Sequence, residues 1–504
     1  MSRINTNVQS LIAQRILGQQ NKGLNTSLER LSTGLRINRG KDDPAGLIAS
    51  ENLRAEKASL AQAISNSERA DQVVNIAEGG LQEINNLLIE VQGLVVASAN
   101  ESGLSQEERK ANQLQIDSIL QTIDRIAQST SFQGSKLLNG TYDFTVTAQA
   151  TTVSDFTING AKLGFGETRD VEVVVTQSAQ YGALFLSATG GVAASRALDL
   201  TDENSRFTFE LAGAKASREF AFSSRTTLSS IADAITTCTS VTGVSAVASG
   251  SYIELKSDEL GSNAFVRYRQ VDDGGSTGNI YAADSDDVNA VDGATSTAFS
   301  ALTNPIKDSG QDVGAIINGV TAQADGGTIN IATDFLDLEI ELSLAGATNR
   351  ATIDAFTIES GGAKFNLGPN VDILNQVSLG IENVAARNLG SQTNGFLSDL
   401  AKGKSSNVVD GDLETAQKIV TDAIKQISSL RGRLGAFQKN TIGATIRSLG
   451  VALENTSAAE SAIRDTDFAS ETANLTRSQI LVNAATNTLG IANAQPQSVL
   501  PLLG

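Results

Sequence analysis

Residues 34–54 read "GLRINRGKDDPAGLIASENLR". The stretch holds three Gly, one Pro, two adjacent Asp and four basic residues, and it separates two leucine-striped patterns. Asp42 or Asp43 followed by Pro44 predicts a helix start, because Asp caps free N–H groups and Pro tolerates the first helical position. Arg36, Arg39 and Lys41 precede that start. On residues alone the joint reads as a capped turn with solvated charges, as a contact surface for a neighbouring chain, or as a metal or phosphate site. The last is weakest, since two adjacent Asp give too few convergent ligands.

Upstream of the joint, Ile4, Val8 and Leu11 begin a 4,3 spacing that Leu24, Leu28, Leu31 and Leu35 repeat. Downstream come Leu53, Leu60 and Ile64, then Val74, Leu81, Ile84, Leu88, Val91 and Val95. These are a/d-type seams with polar residues between. From about Asp43 to Ala99 only Pro44, Gly46, Gly79, Gly80 and Gly93 interrupt. The pattern predicts one helix of roughly 85 Å, too long to stand without partner helices along its length. A second helix is expected from about Ser105 to Gln128, with Ile116, Ile119, Ile123 and Ile126 on one stripe. Near the other end, Leu413 to Asn455 carries Val420, Ile424, Ile427 and Leu434. A last helix, about Asp467 to Asn493, places Phe468, Leu475, Val482 and Leu489 seven apart.

The middle differs. From about Gly140 to Gly361 the chain is rich in Thr, Ser, Gly, Val and Asp. Stretches such as "TYDFTVTA", "VEVVVTQ", "RFTFELAG", "SYIELKS" and "TINIATDFLDLEIELS" alternate with period two and predict strands. Helical pattern appears once there, at "TLSSIADAITTC". Residues 271–345 hold thirteen acids and one Lys, which predicts a solvated surface. The expected fold class is therefore α+β and multidomain: a long antiparallel helical bundle built from both termini, with β-rich domains inserted between.

Composition narrows the chemistry. The 504 residues carry a net charge of −18, the wrong sign for a nucleic-acid binder. There is no His, so Ser-His-Asp, Cys-His and HExxH chemistries are excluded. Cys238 is alone, so no disulfide forms within the chain, and it is expected as a small apolar group in a packed element. The N-terminus lacks the apolar core and cleavage site of a Sec signal, and no run is long and apolar enough for a membrane span. "LGFGETRD" at 163–170 lacks a third Gly in register for a dinucleotide loop. "DSDDVNAVDG" at 284–293 lacks the spacing and closing Glu of a calcium loop. No cofactor or metal is expected.

Residues 1–35 and 467–504 carry apolar stripes with nothing in one chain to cover them. Their burial must come from other chains, so the pattern predicts a polymer whose ends order on assembly.

The two ends resemble flagellin, the bacterial flagellar filament subunit. The matching stretches are "MSRINTNVQSLIAQRIL", "LERLSTGLRINRGKDDPAGLIASENLRA", "IAEGGLQEINNLL", "IDRIAQSTSFQGSKLLNG", "LRGRLGAFQKNTI", "ESAIRDTDFASETANLTRSQIL" and "PQSVLPLLG". The resemblance implies a terminal coiled-coil tier from residues 1–42 and 465–504. A helical tier with a β-hairpin would comprise 43–165 and 356–464, and an outer β-rich insert 166–355. It implies that Arg36, Arg39, Lys41, Asp42, Asp43 and Pro44 form a spoke contacting neighbouring subunits. It further implies unfolded export through the flagellar type III apparatus and a homopolymer outside the cell. A secretion chaperone would hold the C-terminal helices, and hook–filament junction and filament cap proteins would be partners. Flagellins sensed by an innate immune receptor carry Arg–Val–Arg–Glu–Leu on the long helix. Here residues 90–94 read "EVQGL", with Glu90, Gln92 and Gly93 substituted and Leu94 kept. Weak sensing is expected. A junction protein with related ends is the nearest alternative. A metalloprotease insert, known in some flagellins, is ruled out by the missing His.

Overall fold

The computed structural model describes residues 6–100, 102–164, 166–187, 198, 200, 205–276, 278–283 and 291–499. Ile4 and residues 284–290 of the acidic loop lie outside them. In chain order the helices among the described residues are α1 Val8–Thr33, α2 Pro44–Ser98, α3 Gln106–Ser129, α4 Leu228–Thr236, α5 Thr239–Thr242, α6 Leu344–Thr348, α7 Leu413–Ala436, α8 Gly443–Arg464 and α9 Phe468–Val499. None is long and apolar enough to cross a membrane. The chain divides into two compact units, Met1–Val74 with Phe365–Gln376 and Gly435–Gly504, and Asn75–Lys364 with Val377–Leu434.

In the first unit α1 pairs antiparallel with α9. Asn7 Nδ2 donates to the Ala492 carbonyl (2.7 Å) at one end, and Arg30 lies 3.6 Å from Glu471 at the other. The first half of α2 pairs antiparallel with α8. Leu60 and Ala63 pack on Leu449, and Lys57–Glu460 (3.2 Å) and Arg464–Glu51 (2.7 Å) fix the register.

The α2 helix runs 55 residues because one buried row runs most of its length. Leu60, Ala63, Ser67, Ala70, Val74, Ala77, Leu81, Ile84, Leu88, Val91, Val95 and Ser98 are all buried, in alternating steps of three and four. The Cβ positions of Gly79 and Gly93 meet nothing within 4 Å, so packing does not require glycine there; the buried row carries the helix across the cost of about 0.5–1 kcal/mol that each glycine brings relative to Ala. The expected helix from 413 to 455 is interrupted. A π turn at Phe437–Ile442 separates α7 from α8, which continues to Arg464. Periodicity alone does not report an i→i+5 turn, since Phe437 and Ile442 stay buried across it.

In the second unit α3 opens with a capping box between Ser105 and Glu108. Arg431–Glu78 (2.8 Å) and Arg433–Glu382 (2.9 Å) tie α7 to its surroundings. The β-rich part has two cores. One gathers Phe144, Val153, Ile158, Val173, Ile317, Ile329, Leu338, Ile340 and Ile358 between a five-stranded and a four-stranded sheet. The other gathers Phe207, Phe209, Leu211, Leu255, Tyr268 and the inner face of α4 (Leu228, Ile231, Ile235) between a second such pair of sheets. Alternation in "RFTFELA" explains its placement: Phe207, Phe209 and Leu211 are buried and Thr208 and Glu210 half-exposed. Cys238 is buried in this second core. The first core begins before residue 166 and ends after 355. Val153–Ala161 pairs with Leu336–Leu342, and Phe144–Thr147 pairs with Thr352–Gly361.

Candidate functional site

The joint is built by short-range chemistry and then latched to the C-terminal segment. Gly34 ends α1 at φ +74°, a left-handed cap that favours glycine. Its carbonyl accepts from the Thr466 N–H (2.9 Å). Arg36 donates twice to the same segment, through its N–H to Arg464 O (2.7 Å) and through its guanidinium to Ile463 O (2.6 Å). The two adjacent acids divide the work. Asp42 accepts from the N–H groups of Asn38 (3.3 Å) and Arg39 (2.9 Å), folding the turn. Asp43 accepts from Gly46 N–H (2.9 Å), capping α2, with Pro44 as its first residue. Arg39 pairs with Glu29 (2.9 Å). Both carboxylates are thus engaged by backbone and do not converge on a common point. Among the described residues no group of three or more acids or Cys could hold a metal ion. Arg36, Arg39, Lys41 and Pro44 are exposed, so the joint also presents a polar surface.

The terminal helices show a seam and a separate stripe. On α1 the face toward α9 is Ser10, Ala13, Leu17, Gln20, Leu24, Ser27 and Leu31, in steps of three and four, with Ser10, Ala13 and Ser27 buried and the others half-buried. On α9 it is Glu471, Leu475, Ser478, Val482, Ala485, Leu489 and Ala492. Of the expected core residues, Leu24, Leu31, Leu475, Val482 and Leu489 lie in this seam, and Leu35 is half-buried in the joint. Val8, Leu11, Leu28 and Phe468 do not; they are 51%, 57%, 46% and 58% exposed. Ile12, Ile16, Ile480, Leu481 and Ile491 are exposed as well. Helix geometry puts Val8 opposite the α1 seam, Leu11 and Ile12 beside Val8 on the far face, and Ile16 on the seam's flank. On the first turns of α1 apolar residues therefore extend beyond the seam onto the far face, alongside Gln9, Gln14 and Arg15, and one partner helix leaves them uncovered. The expected residues thus divide between seam and stripe; the buried small residues Ser10, Ala13 and Ser27 mark the seam within the sequence, and isoleucines outside the 4,3 count mark the stripe.

In residues 90–94, Val91 belongs to the buried row of α2, Glu90 and Gly93 are exposed, and Gln92 and Leu94 are half-buried. Ile89 and Val96 beside them are exposed.

Comparison with known proteins matches these two ends. The family model for the bacterial flagellin N-terminal helical region covers residues 4–143, and that for the C-terminal helical region covers 417–503. The chain is 30% identical to a flagellin of Salmonella typhimurium and 31% identical to one of Salmonella rubislaw, each alignment covering 99% of both chains. It is 28% identical to flagellin D of Vibrio cholerae, again over 99% of both.

The chain belongs to the flagellin family.

It is a structural subunit of the flagellar filament that drives bacterial swimming. Among solved structures, the flagellar junction protein FlgL of Legionella pneumophila matches at 13% identity. That match covers 84% of this chain and 100% of that one, with a TM-score of 0.24, too low to carry a structural argument. The apolar stripes and the latched joint are thus features of a flagellin, a family of structural proteins whose subunits make a filament.

Proposed function

We propose that this flagellin polymerises with copies of itself by burying the outward stripes of α1 and α9 against neighbouring subunits. One observation carries the reading: Val8, Leu11, Ile12 and Ile16 stand 40–57% exposed on a helix whose seam is already occupied. Covering such side chains is worth about 1.5–3 kcal/mol each when burial is complete. The terminal pair (1–42 and 465–504) forms the innermost tier, and the joint from Arg36 to Pro44 is a spoke touching the next subunit. Residues 43–165 and 356–464 supply the middle tier, except for the strands within 144–161 and 356–361, which belong with 166–355 in the outer part. A chaperone holds the C-terminal helices before export, the subunit leaves the cell unfolded through the type III route and folds at the growing tip, and hook–filament junction and filament cap proteins are its further partners. It catalyses nothing and needs no cofactor. Its innate-receptor segment is weakly sensed.

The test is electron microscopy of seeded full-length protein beside a version lacking 1–42 and 465–504. Filaments from the intact chain alone support the reading; polymerisation of the truncated chain refutes it.

A further inference from the structure

The β-rich part of the second unit exposes two sheet faces of opposite charge. One belongs to the four-stranded sheet ordered Ile306–Ser309, Phe265–Asp272, Arg206–Ala212, Ser217–Ser223. Its inner positions Val266, Tyr268, Phe207, Phe209 and Leu211 are buried, which turns Phe265, Arg267, Arg269, Lys307 and Glu210 outward. Arg267 stands directly opposite Lys307 in the ladder, and Arg269 directly opposite Glu210. Glu210 serves both arginines, at 2.6 Å from Arg269 and 3.7 Å from Arg267. Lys307 lies 4.3 Å from the centre of the Phe265 ring. Glu219 faces Glu210 from the far edge strand. Three cations thus stand on adjoining strands with Glu210, which pairs two of them, and Glu219 beyond it, a local excess of positive charge in a chain of net charge −18.

The other face belongs to the four-stranded sheet ordered Gln323–Asp325, Thr328–Ala332, Leu336–Leu342, Val153–Ala161. With Leu338, Ile340 and Leu342 buried, Asp337, Glu339 and Glu341 turn outward. Asp155 stands directly opposite Glu341. Burial, with Asp155, Glu339 and Asp422 nearby, raises the Glu341 carboxyl above its usual range, and burial raises Asp155 too. Like charges directly opposite one another on a sheet are destabilising. Both faces carry such a pair, Arg267 with Lys307 and Asp155 with Glu341, and each would be relieved by the other.

We propose that these faces are the two halves of one contact between outer parts of neighbouring subunits, the carboxylate face of one copy seating on the cation face of the next. The occupant is a second copy because the charges are complementary and polymerisation holds copies side by side. Two different faces on one chain make a heterologous contact, which propagates as an open helix and does not close into a two-fold dimer. The contact is separate from the terminal helices but rests on the filament reading.

The test is zero-length carbodiimide coupling in filaments grown from an equal mixture of unlabelled and isotope-labelled full chains. The expected product is a mixed-isotope amide between Lys307 and Asp337, Glu339 or Glu341. It should be absent from monomers and reduced about tenfold when coupling is done in roughly 1 M salt. Filaments that form without this product overturn the contact and leave the filament reading standing; failure to form filaments overturns both. The same is read without cross-linking from R267E/K307E and E339K/E341K. Each should fragment under shear about tenfold faster than the parent at low salt, and the four changes together should restore resistance. Additive loss in the fourfold variant, or binding of soluble polyglutamate without the Lys307 product, overturns the proposal.

Discussion

Replacing Ile12 and Ile480 by Ser separates the seam from the stripe. Ile12 is 40% and Ile480 63% exposed in the lone chain. Complete burial of an aliphatic side chain is worth about 1.5–3 kcal/mol, so covering the exposed part contributes roughly 0.6–1.2 kcal/mol at Ile12 and roughly 0.9–1.9 kcal/mol at Ile480. The double change therefore removes about 1.5–3 kcal/mol per subunit from assembly. At 1.4 kcal/mol per tenfold, the critical concentration should rise roughly 10- to 150-fold. Ser and Ile have similar helix propensities, so the monomer's helix content should hold. The assay is sedimentation of seeded filaments across a monomer dilution series, with circular dichroism of the unassembled chain alongside. A critical concentration within about threefold of the parent, at unchanged helicity, would refute the assignment of these residues to the intersubunit surface.

Three further outcomes are expected. Gly46→Ala would put a Cβ 2.5 Å from Asp43 Oδ2 and 2.7 Å from Ile37 Cδ1. It should displace the α2 cap and cost about 1–2 kcal/mol in thermal or urea unfolding. Burial raises the Asp143 carboxyl to about 6, against a lowering bond from Phe144 N–H, with Glu382 raising and Arg433 lowering it. The folded state then binds the proton more tightly than the unfolded state, whose carboxyl keeps its ordinary value of 3.8. The cost is fully present above about pH 6 and fades as pH falls toward 4. Asp143→Asn should therefore stabilise by roughly 1–2 kcal/mol near pH 7.5, after discounting for partial exposure, and by nothing below pH 4. Melts at the two pH values check it. Restoring Arg at 90 and 92 and Glu at 93 should raise the response of a receptor reporter cell to monomer; a parent chain already at full response would refute weak sensing.

The helical part was legible because its signals are local and redundant. The row from Leu60 to Ser98 repeats for more than five heptads, and Asp43–Pro44 marks where it starts. Period-two alternation placed the strands from Arg206 to Ala212 and Leu336 to Leu342 for the same reason. Alternation in "TYDFTVTA" likewise marks Phe144–Thr147 as a strand at the edge of the β-rich middle. Its pairing with Thr352–Gly361, some two hundred residues away, was not legible, because no local pattern reports that partner. The π turn escaped because its buried residues keep the apolar count. In the joint, the Asp–Pro pair signals the helix start, where Asp43 accepts from Gly46 N–H and Pro44 opens α2. The partner that latches the joint, the backbone of Ile463 to Thr466, is distant in sequence and contacted through main-chain atoms that carry no residue signature.

The division between seam and stripe also bears on why the ends should fold late. The fully buried apolar and hydroxyl residues of the α1–α9 seam are small, Ser10, Ala13, Ser27, Ala485 and Ala492, and its larger members Leu17, Leu24, Leu31, Leu475, Val482 and Leu489 are only half covered by the partner helix. Further large side chains, Val8, Leu11, Ile12, Ile16, Ile480 and Ile491, are on the faces the partner helix leaves open. A two-helix pair with so thin a seam gains little from forming alone, while ordering each residue costs about 1–2 kcal/mol of backbone entropy. In the polymer the same helices gain the whole stripe at once. Terminal order is thereby coupled to the presence of neighbours, and hydrogen exchange should show α1 and α9 amides unprotected in the monomer and protected in the filament.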